Sequence, residues 1–595
     1  MLNRVSQGRE RVTREAAFPA PVKGWVQSGN VATAGRDQAE VLDNFFPTAQ
    51  SARLRGGSTQ YADIGDSVVR LMVYSADDDT LFAATADGIY NADRINGGGA
   101  AFADVAGLGS GDWSAAQMAT AGGLFMVAVN GVDHMQYYNG SAFYPVSTVA
   151  VVNLGYDALT SAFSVGETVT GGTSGATATV LGIVQTSATT GTLRLGTVTG
   201  GPYQDNEALT SAGGAATANG ASAAGSAITL TGVATTALTQ VWSYKERLFF
   251  VEKNSQSVWF LPVDAIGGAA SEIPLGSIFR RGGNVVFGAA WSLDSGAGLD
   301  DVCIIVSSNG EIAVFDGDDP ASSSTWALVG VYQIAPPLNK HSFFQAGGDL
   351  AILTADGIIP VSEALKKDRA ALQAVAISLP IEDAWKSAVA DATTNFPVTP
   401  TLWQSQAMLL IGVPGTTPAA FVANARTGAW CRYTGWDVRC GAVANGALFF
   451  GTSGGFVMEG ESGGSDDGIQ YTGTYVPKFS TCGVNSLKSA NHAMVTFRAA
   501  GTPVFSLFGH ANYQVDSVQA PPPIVPDTSA VWGSGVWGTF VWGGSSATKT
   551  YTNWETISAN GEALAPGVYV TSSSTVAPIF EILATKIRFE VAGSF

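Results

Sequence analysis

Cysteine is scarce in this sequence, with four in 595 residues. Cys303, Cys431, Cys440 and Cys482 are widely spaced and form no C-x-x-C pair. Because disulfide-rich domains and structural zinc sites need clustered cysteines, this spacing argues against both. Cys431 and Cys440 could still meet across a hairpin, but the sequence favours buried free thiols.

Charged residues are also few, at 13%, and basic residues are the rarer kind. The chain has 30 Lys and Arg against 48 Asp and Glu, a formal net charge of −18. Proteins that hold a phosphate backbone use clustered Lys and Arg, so this composition argues against DNA or RNA binding and favours a surface that repels DNA. Four arginines nevertheless lie in the first 20 residues: Arg4, Arg9, Arg11 and Arg14. Residues 1–20 are interpreted as a basic arm that is either unstructured or docks onto an acidic neighbour.

Membrane and enzyme signatures are missing as well. No apolar run has the length of a membrane span and the N-terminus lacks an export signal, so we expect neither anchoring nor export. There is no G-x-S-x-G, G-x-x-x-x-G-K or H-E-x-x-H motif, and four isolated histidines (His134, His341, His492 and His510) have no ligand-like neighbours. The sequence predicts no catalytic, cofactor-binding or metal-binding residue and a protein that is not an enzyme. Acidic turns at residues 77–79, 316–319 and 466–467 leave calcium open, although solvated turn carboxylates are favoured.

Glycine, by contrast, is abundant, and it separates short alternating strands. Residues 68–93 alternate apolar and polar side chains, turn at three aspartates, return as a second strand and turn again at Asp87-Gly88. The strand–turn–strand pattern recurs at residues 122–138, 244–262, 301–317, 347–360, 408–433 and 445–459. A repeat of about forty residues predicts a β-propeller of six to eight four-stranded blades. A sandwich or several unrelated β domains remains the alternative, and only residues 363–372 and 381–389 look helical.

The composition changes abruptly to Gly, Ala, Thr and Ser after about residue 153. Residues 163–180 and 203–220 are two segments of related sequence, and a strand pair is predicted between them at residues 180–184 and 192–198. We interpret this region as a small inserted β module, with a low-complexity linker as the alternative. Such Gly-Glu-x-Val-Thr-Gly modules resemble the decorating domains of phage tail and virion proteins.

The predicted organisation has five parts. They are the basic N-terminal arm (1–20), a first part of the propeller (21–152), the inserted Gly/Thr-rich β module (153–235), a second part of the propeller (236–465) and a C-terminal β domain (466–595). Residues 22–31 are expected to close the propeller by pairing with its last blade. The turn residues 462–468 mark the last boundary, and residues 554–568 and 577–591 are expected to form a final strand pair.

Three features resemble one family. Asn44-Phe45-Phe46-Pro47 is soon followed by Arg53, Arg55 and Gly56, and propeller-like repeats come next. This layout resembles the tail nozzle or hub proteins (tail tubular protein B-like) of short-tailed bacteriophages, although Thr48 stands where the family often has Glu. The virion-like module is the second feature. The third is a tryptophan run before the last strands, with Trp532, Trp537 and Trp542 at five-residue spacing.

The resemblance implies a structural virion protein rather than an enzyme. It implies a homo-oligomeric ring, usually a hexamer, that contacts a tail adaptor ring above and carries tail fibres or spikes. Genomic DNA would pass through the lumen without specific binding, and the protein would be assembled in the host cytoplasm. The alternatives are a head-completion plug that stabilises packaged DNA and, as an enzymatic rival, a receptor-binding tail spike with glycosidase activity, which would need a carboxylate pair.

Overall fold

A computed structural model describes residues 13–29, 35–292, 301–392, 398–413, 417–500, 504–524 and 548–591. Strands account for 51% of the structure and helices for 7%, and the fold is a β-propeller with an inserted β module and a C-terminal β domain. Five strands precede the first blade: β1 (Thr13–Pro19), β2 (Ala39–Asp43), β3 (Phe45–Pro47), β4 (Ala52–Leu54) and β5 (Ser58–Asp63).

The first two blades follow directly. Blade 1 contains β6 (Arg70–Tyr74), β7 (Thr80–Ala84), β8 (Gly88–Asn91), helix α1 (Ala92–Asn96) and β9 (Val105–Ala106). Blade 2 contains β10 (Ser114–Thr120), β11 (Gly123–Val129), β12 (Met135–Tyr138) and β13 (Phe143–Val146). Each is an antiparallel meander, as the alternation predicts.

The inserted module lies between blades 2 and 3 in sequence. Its strands are β14 (Val152–Ser161), β15 (Thr168–Gly171), β16 (Thr177–Gln185), β17 (Gly191–Leu195), β18 (Ala208–Thr210), β19 (Ala215–Ala218), β20 (Ala223–Ala224) and β21 (Leu230–Thr231). The predicted pair is confirmed as β16–β17, and the linker alternative is wrong. Because Ile183 of β16 pairs with Ala106 of β9, the module extends the sheet of blade 1.

The two related segments of the module, residues 163–180 and 203–220, bind each other reciprocally. Glu207 of the second segment accepts hydrogen bonds from the Thr173 and Ser174 amides of the first, at 3.1 and 2.9 Å. Glu167 of the first accepts one from the Ser211 hydroxyl of the second, at 2.6 Å. Thr170 and Thr210 are paired between them, so the two segments are also joined strand to strand.

Five further blades complete the propeller. Blade 3 has β22 (Leu238–Tyr244), β23 (Arg247–Glu252), β24 (Ser257–Phe260), β25 (Gly268–Ala269), which pairs with β21, and β26 (Ser271–Pro274); blade 4 has β27 (Val285–Trp291), β28 (Val302–Ser307), β29 (Glu311–Gly317) and β30 (Trp326–Gln333). Blade 5 has β31 (Phe343–Ala346), β32 (Asp349–Thr354) and β33 (Gly357–Pro360), followed by helices α2 (Val361–Ala364), α3 (Arg369–Leu372) and α4 (Glu382–Ala392). Blade 6 has β34 (Pro400–Trp403), β35 (Met408–Val413), β36 (Ala419–Asn424) and β37 (Ala429–Thr434), and blade 7 has β38 (Cys440–Ala444), β39 (Ala447–Gly451) and β40 (Phe456–Gly460). The 3₁₀ turns are Thr235–Ala237, Gln373–Val375, Leu379–Ile381 and Gln404–Gln406.

A buried apolar cluster lies between each pair of neighbouring blades. Separate clusters join blades 1 and 2, 2 and 3, 3 and 4, and 4 and 5, while one large cluster spans blades 5, 6 and 7. A further cluster joins blade 7 to blade 1, for example through Phe449 and Leu71. The seven repeats found in the sequence are therefore the seven blades of a closed ring.

The ring is closed by a different strand from the one predicted. In the described part of the expected segment, residues 22–29, nothing pairs with the last blade; Gly24 and Trp25 make only single bridges, to Trp430 and Ala39. Instead β5 is the outer strand of blade 7 and pairs with β40. A strand from before the first blade thus completes the last one.

The C-terminal domain consists of two sheets that incorporate N-terminal strands. Its strands are β41 (Tyr471–Pro477), β42 (Lys488–Ala499), β43 (Ser506–Ala511), β44 (Pro523–Ile524), β45 (Lys549–Gly561), β46 (Leu564–Ser572) and β47 (Phe580–Val591). One sheet has the order β3-β4-β47-β42-β45 with β1 on β47, and the other continues blade 6 as β37-β2-β41-β46-β43. The expected pairing of residues 554–568 with 577–591 is wrong, because β42 lies between β45 and β47. The unstructured alternative for the arm is wrong for residues 13–19, which form β1.

Candidate functional site

The first feature of the family resemblance, residues 44–47 and 53–56, lies where the propeller meets the C-terminal domain. Here the chain leaves β2 beside blade 6, runs through β3 and β4 in the C-terminal sheet, and enters blade 7 as β5. We call the polar network at this crossing the junction; it contains Asn44, Arg53, Arg55, Glu461 and Asp466 and the aromatic residues packed on them.

Asn44 connects three parts of the junction. It has a left-handed backbone with φ of 59° and is fully buried. Its Nδ2 donates to Thr434 Oγ1 at 2.7 Å and to the Thr472 carbonyl at 2.8 Å, and its Oδ1 accepts from Arg55 Nε at 2.8 Å and the Thr434 amide at 2.9 Å. One side chain therefore ties blade 6, through Thr434, to β41 of the C-terminal domain, through Thr472. All four of its hydrogen-bonding positions are used, as burial of an amide requires.

Arg55 forms a two-point ion pair with Asp466. The Nη1 and Nη2 atoms donate to Oδ1 and Oδ2 of Asp466 at 2.8 and 2.7 Å. The same two nitrogens donate to the carbonyls of Gly56 and Thr434, at 2.8 and 3.0 Å, so that with Nε all five N–H groups of this buried side chain have partners. Only arginine presents five donors in this planar arrangement. Asp466 also accepts from Trp436 Nε1 at 3.0 Å.

Aromatic rings enclose the guanidinium. Its centre lies 3.9 Å from the Tyr471 ring centroid, 5.0 Å from Trp436 and 5.4 Å from Tyr433, within the range of cation–π attraction. Burial by itself lowers the pKa of Arg55, but the hydrogen bond and charge of Asp466 outweigh it and raise that pKa above its usual value. Burial raises the pKa of Tyr433 and of Tyr471. Arg55 is therefore a permanent charge, and both phenols are neutral near pH 7.

A second ion pair lies beside the first. Arg53 Nη1 donates to Glu461 Oε2 at 2.8 Å, and Arg53 also stacks on Phe46 with 4.9 Å between guanidinium and ring centroid. Glu461 accepts from the Tyr433 hydroxyl at 2.7 Å and from the Gly56 amide at 3.0 Å. Both arginines of the Arg-x-Arg-Gly segment are thus anchored to the loop after blade 7.

The two glycines after Arg55 leave room for the backbone of the loop that follows blade 7. A Cβ on Gly56 would lie 2.7 Å from the Glu461 backbone, and one on Gly57 would lie 2.0 Å from the Ser465 carbonyl oxygen. Neither glycine has positive φ, and the chain makes no turn at these two positions. The glycines instead allow residues 461–465 to approach closely.

The junction fits a mechanical role better than a chemical one. All polar side-chain atoms of Asn44 and Arg55 are engaged with the protein itself, so these two residues offer no group to a substrate. Breaking a buried, fully bonded ion pair of this kind costs about 3–5 kcal/mol, because one charge is left buried without a partner. The network therefore holds the two domains in one relative orientation.

Other residues singled out in the sequence are dispersed. His134 contacts Thr235, His341 contacts Asp112, and the ring of buried His510 bonds the Tyr569 hydroxyl. All four cysteines are free thiols. Trp532, Trp537 and Trp542 lie outside the described residues.

The acidic turns have protein partners. Asp79 accepts from the Asn445 amide at 2.8 Å, Asp319 lies 3.3 Å from Arg247, and Asp466 belongs to the junction. In the described residues, no group of three or more His, Cys, Asp or Glu side chains is placed to hold a metal ion. No helix in that part of the chain is long and apolar enough to cross a membrane.

Sequence reasoning missed most partners in the junction. Asp466 lies 411 positions from Arg55, and the sequence indicates only an acidic turn at a domain boundary there, not a partner for Arg55. Trp436, Tyr471 and Thr434 carry no local pattern that distinguishes them from ordinary core residues. Only Asn44, Arg53, Arg55 and Gly56 were recognisable, through the family resemblance.

Comparisons with known proteins give structural matches alone. No protein family and no curated protein sequence matches the chain. Among solved structures it is similar to Sqt1 of Saccharomyces cerevisiae (11% identity, 68% of this chain and 98% of that one, TM-score 0.33). It is also similar to YCF48 from Cyanidioschyzon merolae (8%, 68% and 98%, TM-score 0.25) and to the β-propeller domain of Cps50 (Swd1) from Myceliophteria thermophila (8%, 69% and 99%, TM-score 0.26). TM-scores this low say nothing about function.

Proposed function

We propose that this chain is a structural virion protein, a subunit of the tail nozzle or hub ring of a short-tailed bacteriophage. DNA would be retained above or within the ring and then ejected through it. The observation that supports this most is the junction. Of the three features that resemble the nozzle family, the first, which contains Asn44, Arg53, Arg55 and Gly56, supplies side chains that fasten the propeller to the C-terminal domain, so this part of the resemblance coincides with a physical unit.

The mechanical character of the junction suits such a role. A ring that holds pressurised DNA needs subunits whose domains keep their relative positions. Two further ion pairs strengthen the same crossing: Asp43 with Arg432 of blade 6, at 2.7 and 2.9 Å, and Glu40 with Lys478, which directly follows β41, at 2.7 Å. The net charge of −18 fits DNA passage without specific binding, and an acidic lumen is the corresponding prediction.

An apolar surface on blade 4 is suited to contact with a neighbouring subunit. Its outer strand β30 has no charged residue, and Leu328, Val329 and Val331 are 44%, 57% and 40% exposed. The outer strands of blades 1, 6 and 7 are covered by the module, β2 and α1 respectively. Exposed apolar strands at sheet edges need partners, and ring neighbours would supply one.

The test is cryo-electron microscopy of the particle that contains this chain. A six-fold ring at the distal end of a short tail, between adaptor and fibres, is the expected result. A position inside the head–tail connection would favour the head-completion plug instead. A trimer at the periphery that releases reducing sugar from host polysaccharide would establish the spike and refute the nozzle.

A purified-protein experiment complements the microscopy. We expect the isolated chain to be a monomer or weak oligomer that forms the ring only with its adaptor, measured by light scattering. Val329→Lys should reduce ring formation, whereas Val132→Lys, which changes a 46% exposed valine in a turn of blade 2, should not. A stable ring from the pure chain, or equal assembly of both variants, would contradict the weak interface or its placement on β30.

A further inference from the structure

The loop between β46 and β47, residues 573–579, lies at one end of the C-terminal domain. At this end β41 and β43 also begin and β42 stops. The Gly464 amide, in the loop before β41, donates to the Ser574 carbonyl at 3.0 Å. The Ala500 amide, directly after β42, donates to the Ile579 carbonyl at 3.3 Å. Hydrogen bonds therefore hold both neighbouring loops against the β46–β47 loop.

This end of the domain exposes apolar side chains. Ile469 and Val576 are 70% and 63% exposed, the highest values among the large hydrophobic side chains of the described residues, and Val504 and Ile579 are exposed as well. Residues 573–579 contain no charged side chain. We call Ile469, Val504, Val576 and Ile579 the apolar end. Clustered apolar side chains on the surface of a folded protein mark a place where another group binds.

Residues 525–547, which lie outside the described residues, are attached to the domain at this same end. β44 stops at Ile524, which pairs with Ser572 immediately before the β46–β47 loop. β45 begins at Lys549, which pairs with Ala499 at the end of β42. At 3.3–3.6 Å per residue, the 23 residues between can span roughly 80 Å, far more than the ~10 Å between packed sheets. This segment is therefore long enough to cross the apolar end and return.

The composition of the segment requires an apolar surface. It contains Trp532, Trp537 and Trp542, one phenylalanine and four valines, and Asp527 is its one charged residue. Each tryptophan side chain can bury about 150–250 Å². Leaving three of them in water is unfavourable, because the hydrophobic effect grows with the apolar area that is exposed. An apolar surface lies between the two points where the segment is attached.

We propose that residues 525–547 fold back over the apolar end and that their three tryptophans pack against Val576, Ile579 and the neighbouring apolar side chains. A second copy of the chain or a lipid surface would be the other occupants. Attachment at both ends favours the chain's own segment, because it keeps the tryptophans at a high effective concentration beside the surface. This inference is independent of the virion proposal.

Limited digestion of the full chain with chymotrypsin tests the proposal, because this protease cuts after large apolar residues such as tryptophan. The wild type should be cut slowly between residues 532 and 542, as measured by mass spectrometry of the two fragments. The double variant Val576→Asp, Ile579→Asp should be cut there about 10-fold faster or more, since charges on the surface favour the uncovered state. Val132→Asp, which places a charge on an exposed valine of blade 2, should be cut as slowly as the wild type.

Amide hydrogen exchange provides a second measurement that leaves the apolar end unchanged. Replacing the three tryptophans together by serine should raise exchange in residues 573–579 severalfold. Rapid cutting of the wild type, equal cutting of the wild type and the double variant, or unchanged exchange in the serine variant would overturn the proposal. Protection that appears only at high protein concentration would assign the apolar end to a second copy, and protection only with phosphatidylglycerol vesicles would assign it to lipid; either result would overturn the proposal too.

Discussion

The clearest prediction concerns Arg55. Replacing Arg55 with Gln removes the charge opposite Asp466 together with a two-point hydrogen bond at 2.7 and 2.8 Å, in a place where the arginine side chain is fully buried. The Asp466 carboxylate would keep only its weaker neutral donors. Loss of one partner from such a pair should lower the free energy of unfolding by about 3–5 kcal/mol.

The size of the change in Tm follows from the chain length. At about 2.1 cal/mol/K per residue, 595 residues give an unfolding entropy of about 1.2 kcal/mol/K. If the propeller and the C-terminal domain unfold together, Tm should fall by about 2–4 °C. If the junction opens first, calorimetry should instead show a new, earlier transition for the C-terminal domain.

The matched control is Arg498→Gln. Its pair with Glu581 is half-exposed, at 3.2 Å, and should contribute only about 0–1 kcal/mol. Arg55→Lys should fall between the two, because lysine keeps the charge but cannot form the planar two-point contact. Equal urea-unfolding midpoints for Arg55→Gln and Arg498→Gln would refute the view that the junction fastens the domains.

Three other outcomes are expected. Asn44→Ala should cost about 2–4 kcal/mol in urea unfolding, and Asn44→Gly about 1 kcal/mol less, since glycine tolerates the positive φ; equal losses would show that strain is unimportant there. Glu207→Gln should increase amide hydrogen exchange in the inserted module more than Glu167→Gln does. Burial raises the pKa of Glu207, but hydrogen bonds from Ser174 and Gln204 outweigh burial and lower this pKa. The difference between the two variants should therefore disappear as the pH falls through that lowered pKa, where Glu207 becomes protonated. The pKa of His341 is lowered to about 3 in the fold, whereas in the unfolded chain it is about 6.5, so between these pH values the unfolded chain binds more protons than the folded one. The free energy of unfolding should therefore decrease as the pH falls from about 6.5 to about 3, by up to about 1.4 kcal/mol per pH unit, and His341→Gln should remove this slope.

The sequence by itself determined the blades. Each unit, such as residues 68–93, combines period-two alternation with a turn at Asp or Gly, and both are local properties that the chain expresses wherever the unit is placed. For the same reason the inserted module was recognisable as β structure, down to the β16–β17 pair. The helices near residues 363–372 and 381–389 were found too, as α2, α3 and α4, although the first region is broken into two short helices.

Tertiary structure alone decided how the ring closes and how the domains are joined. An edge strand pairs with whichever strand the ring geometry brings beside it, so β5 closes blade 7 where residues 22–31 were expected. Of the final strand pair, residues 577–591 correspond to β47, but residues 554–568 cover the end of β45 and the start of β46, and β42 lies between β45 and β47. The contacts of Arg55 with Asp466, and of Lys340 with Asp112, join residues 411 and 228 positions apart. No local pattern specifies such partners, because they meet only after the blades have closed into a ring and brought distant loops together.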